Sequence, residues 1–212
     1  MFSLPIPPET IAIFLTASIA LAFVPGPDNI FVITQSAING RLAGLAVTLG
    51  LCSGLMVHTA AVALGVAAIF TKSAFAFNLL KFAGAAYLLY LAWQALRAKP
   101  DKDFANQPSS TSLRTYYLRG VIMNLTNPKV AIFFLAFLPQ FTEPASGAMT
   151  IQLLFLGGLF ILSAIVAFGA MAWFSGYLGD WLKTSDKAQI IINRIAGFVF
   201  IALAIRLLIP ER

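Results

Sequence analysis

The sequence is organised by a few residues whose chemistry is out of place in an apolar chain. Asp28 stands in Pro25-Gly26-Pro27-Asp28-Asn29, between Phe23-Val24 and Ile30-Phe31-Val32. A carboxylate at the centre of a spanning helix costs roughly 2.5–3.5 kcal/mol on insertion scales. Such a residue therefore faces a cavity or a partner. The prolines remove N–H donors and break the helix, which frees carbonyls and creates a new helix N-terminus. Asp28 either caps that terminus or uses its charge to hold a cation or a substrate amine. Lys129 stands in a comparable break, Asn127-Pro128-Lys129, with Val130 to Leu138 apolar behind it. An ion pair between Asp28 and Lys129 would lower the desolvation cost of both. A solute carrying an ammonium and a carboxylate could open that pair. The plainer reading of Lys129 is a side chain snorkelling to the headgroups. Asn29, Asn124 and Asn127 are donors and acceptors beside the breaks. Gly50, Gly54 and His58 recur every four residues and share one helix face, and Gly-x-x-x-Gly lets two helices approach closely. His58 is either a proton carrier or a hydrogen-bonded structural histidine.

The elements that position these residues follow from composition. The 212 residues are 59% hydrophobic, 13% aromatic and 10% charged, against roughly 25% charged in soluble domains. So few charges cannot cover a soluble surface, which excludes a soluble enzyme, a disordered chain and a disulfide scaffold. The net charge of +6 does not indicate nucleic acid, because most basic residues flank apolar runs, as in membrane orientation. The lone cysteine, Cys52, excludes an intramolecular disulfide and a Cys-based metal site. Neither a cofactor nor a metal is expected. No Walker A pattern, intramembrane protease triad or run of acids is present, which argues against a built-in ATPase, a protease and a cation channel. No basic n-region precedes Thr10–Val24, so that run is read as a retained first span.

Charges divide the chain into six apolar segments: about 11–38, broken at Pro25–Asn29; 42–70; 75–96; 116–141, broken at Asn127–Lys129; 151–177; and 190–209. The last is marginal in length, so five spans remain an alternative. The runs are apolar on all sides and too long for strands, so they are helices in lipid. With the N-terminus outside, nine basic residues fall inside, among them Arg41, Arg97, Arg114, Arg119 and Lys183, against Lys72, Lys81, Arg206 and Arg212 outside. Both termini are therefore expected outside. The halves resemble each other: Lys81-Phe82-Ala83-Gly84 matches Arg194-Ile195-Ala196-Gly197, and the interval Pro25–Gly54 equals Pro128–Gly157. A single transmembrane domain follows, with one three-helix repeat over about 10–100, a polar loop over about 97–119 and a second repeat over about 115–212. An odd number of spans per copy inverts the second copy. Inverted repeats with Pro/Gly-broken helices at matching places point to a transporter site at the midplane.

Pro25-Gly26-Pro27-Asp28, Gly50-x3-Gly54-x3-His58 and Asn127-Pro128-Lys129 together resemble the lysine exporter (LysE/RhtB) family, in particular its homoserine/threonine branch. The resemblance covers nearly the whole chain, including its length, six segments and central polar loop. Val130, where many relatives have alanine, is a mild departure. The resemblance implies a bacterial inner-membrane exporter of amino acids or close derivatives, driven by an ion gradient, usually by proton exchange. The expected partners are a small zwitterionic solute, a coupling ion and the bilayer, with Gly-x-x-x-Gly permitting a homodimer. In this reading Asp28 meets the amine or the coupling proton. Lys129 meets the carboxylate, or Asp28 when the site is empty. Alternatives are a membrane scaffold with Asp28–Lys129 as a buried tie, and an exporter of inorganic cations.

Overall fold

The computed structural model describes residues 6–23, 26–72, 74–97, 112–143, 149–175 and 186–208. Every regular element among them is a helix. In order they are α1 (Pro8–Phe23), α2 (Pro27–Asn39), α3 (Arg41–Lys72), α4 (Ala74–Arg97), α5 (Leu113–Thr126), α6 (Pro128–Phe137), a 3-10 turn (Leu138–Phe141), α7 (Met149–Trp173) and α8 (Asp186–Leu208). The expected first and fourth segments are indeed each two helices, with the axis bending by 60° between α1 and α2 and by 62° between α5 and α6. α5 opens at Leu113, inside the stretch expected as polar loop, because Ser112 caps it by accepting from the Thr115 N–H at 3.3 Å. Arg114 and Arg119 are thus helical residues.

Both breaks follow helix-start chemistry. Pro27 occupies the first turn of α2 after an extended Gly26, a position where the missing N–H is no loss. Pro128 does the same for α6 after Asn127. The turn from α2 into α3 is made by Gly40 at φ 87°, a backbone region that a side chain disfavours.

α3 is the central strut, packed against α2, α5 and α7, while α4 packs against α8. Arg41 lies over Trp173 at 4.7 Å, and Thr59 fills the space at Gly157. Residue numbers rise along α3 as they fall along α7, so these helices are antiparallel. Gly50 meets Gly120 and Gly54 meets Asn124, so α3 and α5 run parallel. Gln152 clamps the approach to α7, accepting from the Glu143 N–H at 2.7 Å and donating to the Glu143 carbonyl at 2.9 Å.

The outside is apolar. Leu42, Leu49 and Met56, seven residues apart along one face of α3, are all exposed, which inverts the soluble pattern and suits lipid. Two hydroxyls of α3 bond back to their own helix, Thr48 to the Gly44 carbonyl at 2.9 Å and Thr59 to the Leu55 carbonyl at 2.8 Å, which removes their need for water, while Ser36 Oγ donates across to the Ala172 carbonyl at 2.6 Å. Among the described residues, the 41–65 stretch of α3 and all of α7 are long and apolar enough to cross a membrane alone, with mean hydropathy 1.7 and 2.4. Each bent pair passes as one further span. α4 and α8 are 24 and 23 residues long, about 35 Å at 1.5 Å per residue, yet are less apolar. Gln94 and Arg97 interrupt α4, and Asp186, Lys187 and Arg194 interrupt α8. Six spans were expected; among the described residues up to four qualify by hydropathy and length, counting each bent pair as one.

Candidate functional site

The two helix breaks meet. Asn127 joins them: its Oδ1 accepts from the Lys129 N–H at 3.1 Å, capping α6, and its Nδ2 donates to Asp28 Oδ1 at 3.2 Å. One amide thus ends one broken helix and holds the carboxylate of the other. Asp28 is not itself a cap. Gly26 is the N-cap of α2, and Asp28 sits in the first turn, where the helix dipole favours an anion. Its residue is only 7% exposed. The Asn124 side chain also reaches the Asp28 carboxylate.

Asn29 works on the other side of the break. Its Nδ2 donates to the Ala22 carbonyl at 2.7 Å and lies 3.6 Å from Met171 Sδ. Ala22 is in the last turn of α1, whose carbonyls have no partner within the helix. Asn29 therefore satisfies an acceptor that the break exposes.

The Asn124 carbonyl accepts from the Asn127 N–H at 3.1 Å and lies 3.3 Å from His58 Nε2. Its side chain fills the notch at Gly54, where an added Cβ would stand 2.5 Å from Asn124 Oδ1. Gly50 meets the α5 backbone at Tyr117, Gly120 and Val121. The Gly50/Gly54/His58 face is therefore covered by α5 of the same chain, and this glycine pair is not a free surface for a second copy. His58 braces the end of α5, with its ring 6.0 Å from that of Phe134. It is not among the residues that line the cavity at the breaks.

That cavity has a volume of about 70 Å³, space for roughly five waters at about 15 Å³ each. Gly26, Pro27, Asp28, Asn29, Asn124, Asn127 and Lys129 form its polar side. Phe133, Phe134, Phe160, Phe168 and Phe200, with Leu55 and Ala164, form its apolar side. Pro25 lies outside the described residues, and Pro128 opens α6.

Lys129 shares the cavity with Asp28, but no direct ion pair joins them among the described residues. Its ammonium instead stands over the Phe200 ring, 5.2 Å from the centroid, a cation–π arrangement. The two charges thus face one cavity with different immediate neighbours, amide donors for the acid and a ring face for the base. The aromatic wall and the Gly120 crossing were not singled out from sequence. Their only trace there is the Phe count of 19 and the Phe133-Phe134 pair one turn beyond Asn127-Pro128-Lys129. Among the described residues, no group of three or more His, Cys, Asp or Glu side chains could hold a metal ion.

The sequence profile of the LysE type translocators matches residues 19–211. The chain is 33% identical over 187 residues to the homoserine/homoserine lactone efflux protein of Salmonella typhimurium, covering 88% of this chain and 90% of that one. It is 28% identical over 203 residues to the uncharacterized membrane protein YrhP of Bacillus subtilis, covering 91% and 95%. It is also 31% identical over 188 residues to an uncharacterized membrane protein of Vibrio cholerae, covering 88% and 90%. No solved structure matches the chain.

Proposed function

The chain belongs to the LysE family of translocators, transporters rather than enzymes, and from that membership we propose that it is a secondary exporter of small amino acids whose site is the cavity between the two helix breaks. Export runs across the bacterial inner membrane and is coupled to proton exchange. The efflux relative at 33% identity supports an amino acid or close derivative as cargo. The observation that carries the reading is an acid and a base lining one cavity of about 70 Å³ without direct contact. Asp28, with Asn127 and Asn124, receives the amine or the coupling proton. Lys129 receives the carboxylate. The exposed backbone groups of the broken helices complete the site, as at other broken-helix transporter sites.

Two inverted three-helix repeats fit the packing. Exchanging the halves maps α3 onto α7 and α4 onto α8, and each of these pairs packs on itself across the exchange. Parallel α3 and α5, with antiparallel α7, match helices that each cross once. α4 and α8 then cross as a packed pair. Rocking of one repeat against the other alternates access. The rival reading, a scaffold tied by a buried Asp28–Lys129 pair, requires a contact not found among the described residues.

The test is efflux from proteoliposomes preloaded with a panel of labelled amino acids, using parent and Asp28→Asn protein at matched insertion. Release of one or a few amino acids by the parent, reduced at least about tenfold in the variant, is the expected result. Equal release by both would remove the cavity from the account.

A further inference from the structure

The two amides that reach Asp28 are not equivalent. Asn127 is locked: its Nδ2 donates to Asp28 Oδ1 at 3.2 Å while its Oδ1 caps α6 by accepting from the Lys129 N–H at 3.1 Å. Turning that amide over would set its NH2 against the Lys129 N–H and uncap the helix. Asn124 is not locked. Its side chain also bonds the Asp28 carboxylate, and only its NH2 can do so, because a carboxylate accepts and does not donate. Its Oδ1 is buried and has no hydrogen-bond partner among the described residues. That oxygen lies in the notch at Gly54, where an added Cβ would stand 2.5 Å away. The whole residue is 1% exposed. A buried acceptor without a donor is rare in native structures and calls for a reason.

Resting on the reading of an exporter with proton exchange, we propose that Asn124 is the positioning residue for the coupling proton: its amide turns over when Asp28 takes that proton, and its free oxygen then accepts from the new O–H. The proton leaves hydronium in the cavity, bonds to a lone pair of the Asp28 carboxylate and leaves water behind. The neutral acid keeps its C=O for the Asn127 donor and gains an O–H that needs an acceptor. Asn127 has none to give, since its oxygen is the α6 cap. A half-turn about the Asn124 Cβ–Cγ bond exchanges an oxygen and an NH2 of nearly equal size, so the tight notch at Gly54 admits both orientations. A cargo amine, by contrast, needs the carboxylate charged and Asn124 donating. Proton and amine therefore exclude each other at one acid, as exchange requires. Among the described residues, Lys129 is the other charged residue lining the cavity. α7 carries no titratable side chain, and α8 contributes the Phe200 ring. His58 of α3 lies 3.3 Å from the Asn124 backbone carbonyl, not from its side-chain oxygen.

The experiment is infrared difference spectroscopy of the full chain in lipid, isotope-labelled at the asparagine side-chain carbonyls and stepped from alkaline to acid pH. The protonated-carboxyl band of Asp28 rises together with a downshift of one asparagine carbonyl band, as an unbonded oxygen becomes bonded. Asp28→Asn abolishes both changes. Asn124→Leu, close in shape, abolishes the downshift, and Asn127→Ser keeps it. A merely structural Asn124 would leave its carbonyl unbonded at every pH. In proteoliposomes, Asn124→Leu lowers gradient-stimulated efflux about tenfold, the scale of one hydrogen bond to a buried acid, while exchange of labelled for unlabelled cargo at equal pH persists. Should Asn124→Leu fail to insert, the parent, Asp28→Asn and Asn127→Ser decide the point by the downshift alone. An acid band that titrates without the downshift, or no acid band at all, overturns this inference and leaves the export of amino acids standing. A parent without gradient-stimulated efflux of any amino acid overturns the proton-exchange reading, and this inference with it.

Discussion

Asn127 carries more of the site than either charge. Its oxygen caps α6 and its nitrogen holds Asp28, so the two duties can be separated. Asn127→Ser keeps a capping oxygen and loses the amide donor. Its thermal stability should stay within about 1 kcal/mol of the parent, while efflux falls. Asn127→Ala loses both, and should cost about 1 kcal/mol or more in addition. Equal efflux by parent and Asn127→Ser would separate the amide from the transport site. Asn29→Ala should be more damaging to folding, about 1–3 kcal/mol, because the Ala22 carbonyl it serves is left unpaired. Thermal melts in detergent read this directly. These residues were legible in the sequence because polar side chains beside proline breaks in lipid need a reason. Their separate duties were not, because a cap, a carbonyl partner and a ligand can all be the same amide. Asp28 and Lys129 share the cavity without a close ion pair, with Asn127 on the acid and the Phe200 ring beside the base.

At the scale of elements, the α3–α5 crossing sets how close the breaks come. Gly50 and Gly120 meet backbone to backbone, with Gly120 Cα 3.0 Å from where a Gly50 Cβ would stand. Backbone cannot yield as a side chain can, so Gly50→Ala should destabilise by about 1–3 kcal/mol. Gly158→Ala, which meets nothing within 4 Å, should leave stability unchanged. A comparable loss in both variants would contradict the crossing. Gly157→Ala should be destabilised because it meets the Thr59 side chain, and adding Thr59→Ala should recover part of the loss. The helices themselves were readable from uninterrupted apolar runs, as α3 and α7 confirm. The glycine face at positions 50, 54 and 58 was also readable, but its partner was not. Gly-x-x-x-Gly states that something approaches closely, and only the fold identifies it as α5 rather than a second copy.

For the whole molecule, the broken pairs and the α3 strut together line the cavity. Basic residues near helix ends, such as Arg41 over Trp173 and Arg97 over Trp93 at 4.8 Å, suit interfacial anchors. With both termini outside, an alkaline phosphatase fused after Arg212 should be active and a fluorescent protein fused there should be dark. The reverse would turn the molecule over without moving the cavity. Charge bias in the sequence supports an orientation, but it cannot report which phenylalanines from α6, α7 and α8 converge, because those contacts join residues far apart in the chain. The central claim is that an ion-driven export path runs through the cavity between the breaks. The most direct measurement is efflux of the preferred amino acid from proteoliposomes with and without an imposed proton gradient, for parent, Asp28→Asn and Lys129→Gln at equal insertion. The account predicts gradient-stimulated efflux in the parent and none above background in either variant. Stimulated efflux that survives both substitutions would contradict it.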